Sequence, residues 1–507
     1  MNFIDKIENE MKIEKSHTWN GAVAYKTSGK NLLDFNFETA ALRQADSAEI
    51  AKRWTNVYFE DPLTAMKYLF WLRDCRGGNG ERRIFRVILR WLAFNKPAVF
   101  NQVLDLVPEF GRYDDILSLL DGELPHEAFG KVITTVSNQL VKDVEALKEG
   151  KPVSLLAKWL PSESTSSQIT RERACKLIAA LKMSARSYRK IVTKLRRATN
   201  VVEQKMSARE WGEIDYAAVP SQANLKYMNA FLRQDEERRK AYLESLKKGE
   251  TKINAGTLQP NEIVKEYHPG QYRSTVDEYN ESLEQLWKAL PSVAVDNALV
   301  VQDSSGSMTW GSGSVTPIHV ATALAIYIAE HNTGIWKGKY LTFSDNPRLV
   351  DLTNCKTLRD KLLKVYSICE YANTNIKKTM DLILRTAVKN HCPPEEMPKR
   401  AILISDMQFD AACQGRPDES LFDGIAREFE DAGYKMPQIC FWNVNLVSTG
   451  TIPMQQNELG VVLAGGYSPQ IMKMFMSGET DPYKALLSVI NTERYKPVED
   501  ALAGIEI

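Results

Sequence analysis

Ala298-Leu-Val-Val-Gln-Asp303-Ser-Ser-Gly-Ser-Met308 decides how the rest of the chain is read. Four apolar residues, Ala298 to Val301, precede an acid and a Ser/Gly-rich loop. A short, Val-containing apolar run suits a buried parallel strand better than a helix. The loop then sets Asp303, Ser305 and Ser307 at alternate positions. Oxygen ligands at the carboxyl end of a parallel strand lie where open α/β sheets bind their ligands. One carboxylate and two hydroxyls are hard donors, suited to Mg²⁺ or Mn²⁺ and not to a soft metal.

Two downstream pieces extend this pattern. Asn373-Thr374-Asn375 stands before a helical stretch, and Arg400-Ala-Ile-Leu-Ile-Ser405-Asp406 is a second apolar strand ending in an acid. Taken alone, such residues are also ordinary turn and cap formers. Flanked by strands and in this order, they resemble the metal-ion-dependent adhesion site of a von Willebrand factor A domain. The resemblance implies a metal site of Asp303, Ser305, Ser307, Thr374 and Asp406. It implies direct ligation by Ser305, Ser307 and Thr374, with Asp303 and Asp406 acting mainly through water and hydrogen bonds. One position on the ion would stay open to a carboxylate from an acidic protein partner.

The surrounding sequence alternates between the two periods. Strands are expected at Leu299–Gln302, Tyr340–Phe343, Arg400–Ile404, Gln438–Asn443 and Val461–Ala464, with an antiparallel edge strand at Arg348–Leu352 after the turn Ser344-Asp345-Asn346-Pro347. Helical stretches are expected at about 316–331, 357–366, Ile376–Lys389 and 420–432. Right-handed crossovers then make a doubly wound sheet.

Length and composition bound the remainder. At 507 residues, two or more domains are expected. Hydrophobic content of 44% and charged content of 25% are those of a soluble globular protein. No apolar run approaches a membrane span, and the acidic, mixed start Met1-Asn-Phe-Ile-Asp-Lys-Ile-Glu is not a signal peptide. Seven cysteines without tight spacing point to free thiols in a reducing, cytoplasmic compartment.

Residues before the sheet read differently. From about Glu38 the pattern is helical, after a mixed segment that reads as an arm lying on another part of the fold. Pro62–Leu72 fits a helix opened by proline, with Asp61 as its cap. Ile84, Val87, Ile88 and Trp91 form the next apolar stripe. Helices separated by short breaks, without a clean repeat length, predict an irregular, HEAT-like helical repeat over 1–290, followed by an A-type domain over 291–507. Residues 250–275 read as a linker, and Val276–Leu290 as a last helix.

The net charge of +1 is unevenly spread. Residues 151–200 hold twelve Lys and Arg against Glu163 and Glu172. Tyr188, Ile191, Val192 and Leu195 make an apolar stripe, and Arg186, Lys190, Lys194 and Arg197 fall on the opposite face. Such a ridge is either a solvated surface or a polyanion-binding face.

A helical repeat followed by an A-type domain is the layout of the Ro autoantigen, or TROVE, family of RNA-binding proteins. Arg73-Asp-Cys-Arg76-Gly-Gly-Asn-Gly-Glu-Arg82-Arg83 and Val107-Pro-Glu-Phe-Gly-Arg-Tyr113-Asp-Asp115 are similar to that family's Arg-Gly-rich and Gly-Arg-Trp-Asp stretches, with Tyr113 in place of Trp. Lys158-Trp-Leu-Pro161 and Ala217-Ala-Val-Pro-Ser-Gln-Ala223 resemble a TROVE-like family labelled only as a domain of unknown function. The resemblance implies a ring of helices that binds structured or single-stranded-ended RNA. Cations for it are Arg76, Arg82, Arg83, Lys182, Arg186, Arg189, Lys190, Lys194, Arg196 and Arg197. With no Ser/His/Asp set, paired catalytic carboxylates or phosphate loop, the reading is of a non-catalytic protein. The alternatives are an interaction scaffold gripping an acidic residue through Mg²⁺, and a metal-dependent nuclease.

Overall fold

The computed structural model describes residues 15–17, 23–267, 276–309, 315–343, 346–368, 376–408, 421–447, 450–453 and 460–507. These fold into two compact units, both discontinuous in sequence: Met1–Glu60 with Leu258–Ile490, and Asp61–Thr257 with Asn491–Ile507. The boundary expected at residue 290 is therefore not where the units part. The amino-terminal segment and Leu258–Leu290 join the sheet unit, and the carboxyl-terminal segment joins the helical one.

In the first unit, a small antiparallel pair, β1 (Lys15–His17) and β2 (Val23–Tyr25), precedes the main sheet. That sheet has strands β3 (Ala298–Asp303), β4 (Lys339–Phe343), β5 (Leu349–Asp351), β6 (Arg400–Ser405), β7 (Gln438–Asn443) and β8 (Val461–Gly465). Their order is β5-β4-β3-β6-β7-β8, parallel throughout except for the antiparallel edge pair β4–β5. Every residue of β3 and β8 is buried, the burial expected of strands covered on both faces. The helix Pro317–His331 is buried along nearly its whole length, so it carries apolar residues all round and not on one stripe.

Of the expected linker 250–275, residues 260–267 are helical, and residues 268–275 lie outside the described residues. The helix Pro260–Tyr267 packs against Pro317–His331. The last helix runs only over Glu281–Lys288, because the Asn280 side chain accepts from Ser282 N (3.0 Å) and Leu283 N (3.4 Å) and fixes the start there. Buried Glu284 on that helix accepts from Leu358 N (2.7 Å) and Tyr267 OH (2.7 Å), so its carboxylate caps the helix Leu358–Ile368.

The amino-terminal helix Asn31–Phe37 does lie on another part of its unit, against β8. Asn443 Nδ2, at the end of β7, donates to Phe37 O (3.0 Å). A Cβ on Gly465 would fall 2.1 Å from that same carbonyl. Gly465→Ala is expected to push this helix off the sheet and cost about 1–3 kcal/mol. An unchanged urea-melting midpoint would count against the contact.

The second unit is helical among its described residues. Asp61 Oδ1 accepts from Thr64 N (3.1 Å) and caps Pro62–Arg73, as the sequence predicts. The helix Lys496–Leu502 packs on Pro62–Arg73. Fully buried Asp74 accepts from Arg494 Nη2 (2.8 Å) and Tyr495 OH (3.1 Å). Burial pushes the Asp74 carboxyl up, but the hydrogen bonds and charge of Arg494 outweigh it and hold it below the usual carboxylate range. Buried Arg239 faces the rings of Tyr216, Tyr242 and Phe231 at 5.0 to 5.3 Å, so π faces solvate its charge.

Candidate functional site

Asp303 ends β3, and Asp406 follows the last residue of β6. β3 and β6 are the neighbouring strands at which the sheet's order reverses. Crevices at the carboxyl ends of such a pair are the usual ligand sites of open α/β sheets. The structure thus brings together Asp303, Ser305, Ser307 and Asp406. Thr374 lies outside the described residues.

The loop is ordered by its own acids. Asp303 Oδ1 accepts from Ser305 N (2.8 Å) and Oδ2 from Ser405 Oγ (2.5 Å). Ser305 Oγ and Ser307 Oγ share a hydrogen bond of 3.0 Å, and the Ser307 hydroxyl bonds to the Asp406 carboxylate. After Asp406, Met407 has φ of 63°, a left-handed conformation costly for a side chain of this kind. Gln408 N (3.1 Å to Asp406 Oδ1) and Met407 N (3.0 Å to Ser405 Oγ) close the turn. Asn445 Nδ2 donates to Asp406 O (3.0 Å), and Asn445 N to Asn443 Oδ1 (2.9 Å). A run of hydrogen bonds thereby leads from Phe37 O through Asn443 and Asn445 to the backbone of Asp406. None of this support is visible in the Asp-x-Ser-x-Ser spacing.

Both carboxylates are buried, Asp303 at 0% exposure and Asp406 at 3%. Burial, and then the charge of Asp406, push the Asp303 carboxyl up to about 7. Burial likewise raises Asp406. Among the described residues neither has an ion pair. Two buried, mutually repelling acids beside two hydroxyls form a donor set that fits a hard divalent cation. The set has fewer than three His, Cys, Asp or Glu groups, and no cluster of three or more is placed to hold a metal among the described residues.

The expected cations lie in the helical unit. Helix Ala185–Ala198 buries Tyr188, Val192 and Leu195. Arg186, Lys190, Lys194 and Arg197 are exposed on its other side and carry no ion pair among the described residues. Arg189 instead pairs with Glu163 (2.8 Å). Arg196 is turned inward, its Nε donating to Ala157 O (2.9 Å) and its Nη2 to Leu160 O (2.5 Å). Tyr188 OH donates to Pro161 O (2.8 Å), so this helix holds the Lys158-Trp-Leu-Pro161 segment in place. Lys182 is exposed, with φ of 52° at the end of the preceding helix. Arg76, Arg82 and Arg83 are exposed, and Arg76 Nη1 donates to Glu109 O (3.2 Å). The glycines beside them are structural: a Cβ on Gly78 would lie 1.9 Å from Trp71 O.

A helical unit and a doubly wound unit with an Asp/Ser centre at its switch point define the class of protein. Residues 18–121 and 112–293 match the family described as domain of unknown function DUF2828, and residues 297–500 match domain of unknown function DUF7788. The chain belongs to the DUF2828 family. It is 31% identical, over 95% of its length and 88% of the relative's, to an uncharacterized protein of Acanthamoeba polyphaga mimivirus. Among solved structures it is similar to the Ro (RSR) protein of Deinococcus radiodurans, at 14% identity, 93% coverage of both chains and a TM-score of 0.36. No helix among the described residues is long and apolar enough to cross a membrane.

Proposed function

We propose that this is a non-catalytic RNA-binding protein of Ro-like design, with Mg²⁺ or Mn²⁺ at the Asp303/Ser305/Ser307/Asp406 centre. The observation that carries the RNA reading is the ridge of Arg186, Lys190, Lys194 and Arg197, four exposed cations on one helix face without acidic partners among the described residues. Spacing of about one helical turn lets such a ridge follow a phosphate backbone, and binding of this kind releases counterions. The TROVE-like stretches in the same unit support the reading. Changing all four residues to Glu is expected to weaken binding of a hairpin RNA more than tenfold. It is also expected to flatten the plot of log affinity against log salt by roughly three charges' worth. Filter binding at several salt concentrations measures both. An affinity and slope equal to wild type would remove the ridge from the site.

The metal centre favours a second reading, in which the protein grips an acidic side chain of a partner. The Ser305 and Ser307 hydroxyls would hold the ion, with Asp303 and Asp406 orienting them and balancing charge. A hard cation with an open position supplies an electrostatic bond to a carboxylate. Partner capture that survives both EDTA and Asp303→Ala would rule this reading out.

A further inference from the structure

The hydrogen bonds that hold Asp406 lead away from the acid centre and end on a helix from the other end of the sequence. Asp406 sits on a turn with two kinds of anchor. Its local anchors are Ser405 Oγ, which accepts from Met407 N (3.0 Å), and its own Oδ1, which accepts from Gln408 N (3.1 Å). From the chain leaving β7 come Val444 N, donating to Ser405 O (3.0 Å), and Asn445 Nδ2, donating to Asp406 O (3.0 Å). A turn with a left-handed Met407 persists only where its surroundings hold it. These anchors therefore fix where the Asp406 carboxylate meets the Ser307 hydroxyl.

The two Asn amides fit together in one sense only. Asn445 Oδ1 accepts from Val447 N (2.9 Å), and Asn445 N donates to Asn443 Oδ1 (2.9 Å). With Oδ1 of buried Asn443 used in this way, its Nδ2 points the other way and donates to Phe37 O (3.0 Å). Turning either amide over would set donor against donor and acceptor against acceptor. Phe37 is the last residue of Asn31–Phe37, where helical carbonyls lack partners within the helix. Buried Asn36 adds a bond from its Nδ2 to Leu463 O on β8 (3.4 Å). Gly465 lets the two backbones meet, since a Cβ there would lie 2.1 Å from Phe37 O and 2.9 Å from Asn36 O.

We infer that Asn443 and Asn445 are positioning residues for a cation at the Asp303/Asp406 centre, and that they tie its affinity to the docking of helix Asn31–Phe37. The inference rests on the metal reading above. With the helix seated, both amides are aligned and the Asp406 turn is held ready for the ion. With the helix lifted, Asn443 loses its acceptor and the alignment is released. Hydrogen-bond networks with two such discrete arrangements carry coupling between separated sites. Coupling is reciprocal, so the cation must in turn hold the helix down.

The test is calorimetric titration of the full chain with Mg²⁺, beside amide hydrogen exchange of residues 31–37. Asn445→Ala is expected to weaken Mg²⁺ binding about tenfold, within the range usual for coupled sites. Asn443→Asp still accepts from Asn445 N but cannot donate to Phe37 O. Its added negative charge alone would strengthen cation binding, so the several-fold weakening expected here reads the lost bond to the helix. Gly465→Ala acts from the helix side, alters no residue of the acid centre, and is expected to weaken Mg²⁺ several-fold. Gly338→Ala is the control: its φ is 72° and a Cβ would meet Thr353 Cγ2 at 2.9 Å, so it strains the same unit away from this run. Its Mg²⁺ affinity is expected to equal wild type, and melting curves establish that each variant is folded. Mg²⁺ is also expected to slow exchange in Asn31–Phe37 of the wild type and not in Asn445→Ala. Weakening in Asn445→Ala with wild-type affinity in Asn443→Asp and Gly465→Ala would overturn the tie to the helix. Equal Mg²⁺ affinity in all these proteins would overturn the positioning role and leave the metal reading standing. A wild type that takes up no Mg²⁺ would overturn both.

Discussion

Adding millimolar Mg²⁺ at pH 8 is expected to raise the melting temperature of the wild-type protein by about 5 °C, and to leave Asp303→Asn unmoved. The size follows from binding linkage: a ligand at a hundred times its Kd stabilises by about 2.7 kcal/mol, and each kcal/mol moves a domain of this size by roughly 2 °C. Asp303→Asn is also expected to melt above the metal-free wild type, because it removes one of two buried acids that repel each other. The pH dependence has a definite sign. Asp303 is raised from 3.8 to about 7, so without metal the folded state binds the proton more tightly than the unfolded chain. That contribution is fully present below about pH 4 and is lost as pH rises through about 7. Cation binding requires the ionised form, so Mg²⁺ affinity should rise across the same window. A wild-type melting temperature indifferent to Mg²⁺ and Mn²⁺ at pH 8 would refute the metal centre.

Asp115→Ala is expected to have the largest effect on stability, about 3–5 kcal/mol, or a fall of roughly 10 °C in melting temperature. Asp115 is fully buried and is the common acceptor for Arg73, Arg86 and the Arg112 backbone. Removing it leaves Arg73, itself only 2% exposed, as an uncompensated charge inside the helical unit. Asp115→Asn keeps the shape and some hydrogen bonds and should fall between wild type and Ala. Calorimetry of the three proteins orders them, and a melting temperature for Asp115→Ala within 2 °C of wild type would contradict the network.

The strands of the main sheet were readable because parallel strands covered on both faces leave continuous Val/Ile/Leu runs. β7 has the expected bounds, β4, β6 and β8 are longer by one residue at one end, and β3 by one residue at each end. Asp303 and Asp406 were legible for the same reason, since an acid at the end of such a run is conspicuous. What escaped the sequence depends on distant chain. Phe37 and Asn443 are 406 residues apart, and Asp74 and Arg494 are 420. No local period links them. Arg196, named among the RNA cations beside the ridge, carries a long side chain that can turn either way, and here two carbonyls draw it inward. The late start of Glu281–Lys288 hinged on one Asn side chain, a detail finer than helical periodicity resolves.

The chain passes between its two units after Glu60, after Thr257 and after Ile490. At roughly 5–20 residues per second on a ribosome, Asp74 is made tens of seconds before Arg494, the cation that neutralises it. Until then the helical unit carries an unmatched acid where its core will close, and the sheet unit still lacks the strands on which the helix Asn31–Phe37 will rest. The helical unit waits for Asn491–Ile507 until the whole sheet unit has been made. Each unit is thus closed by a segment made well after its first one, Leu258–Ile490 for the sheet unit and Asn491–Ile507 for the helical unit.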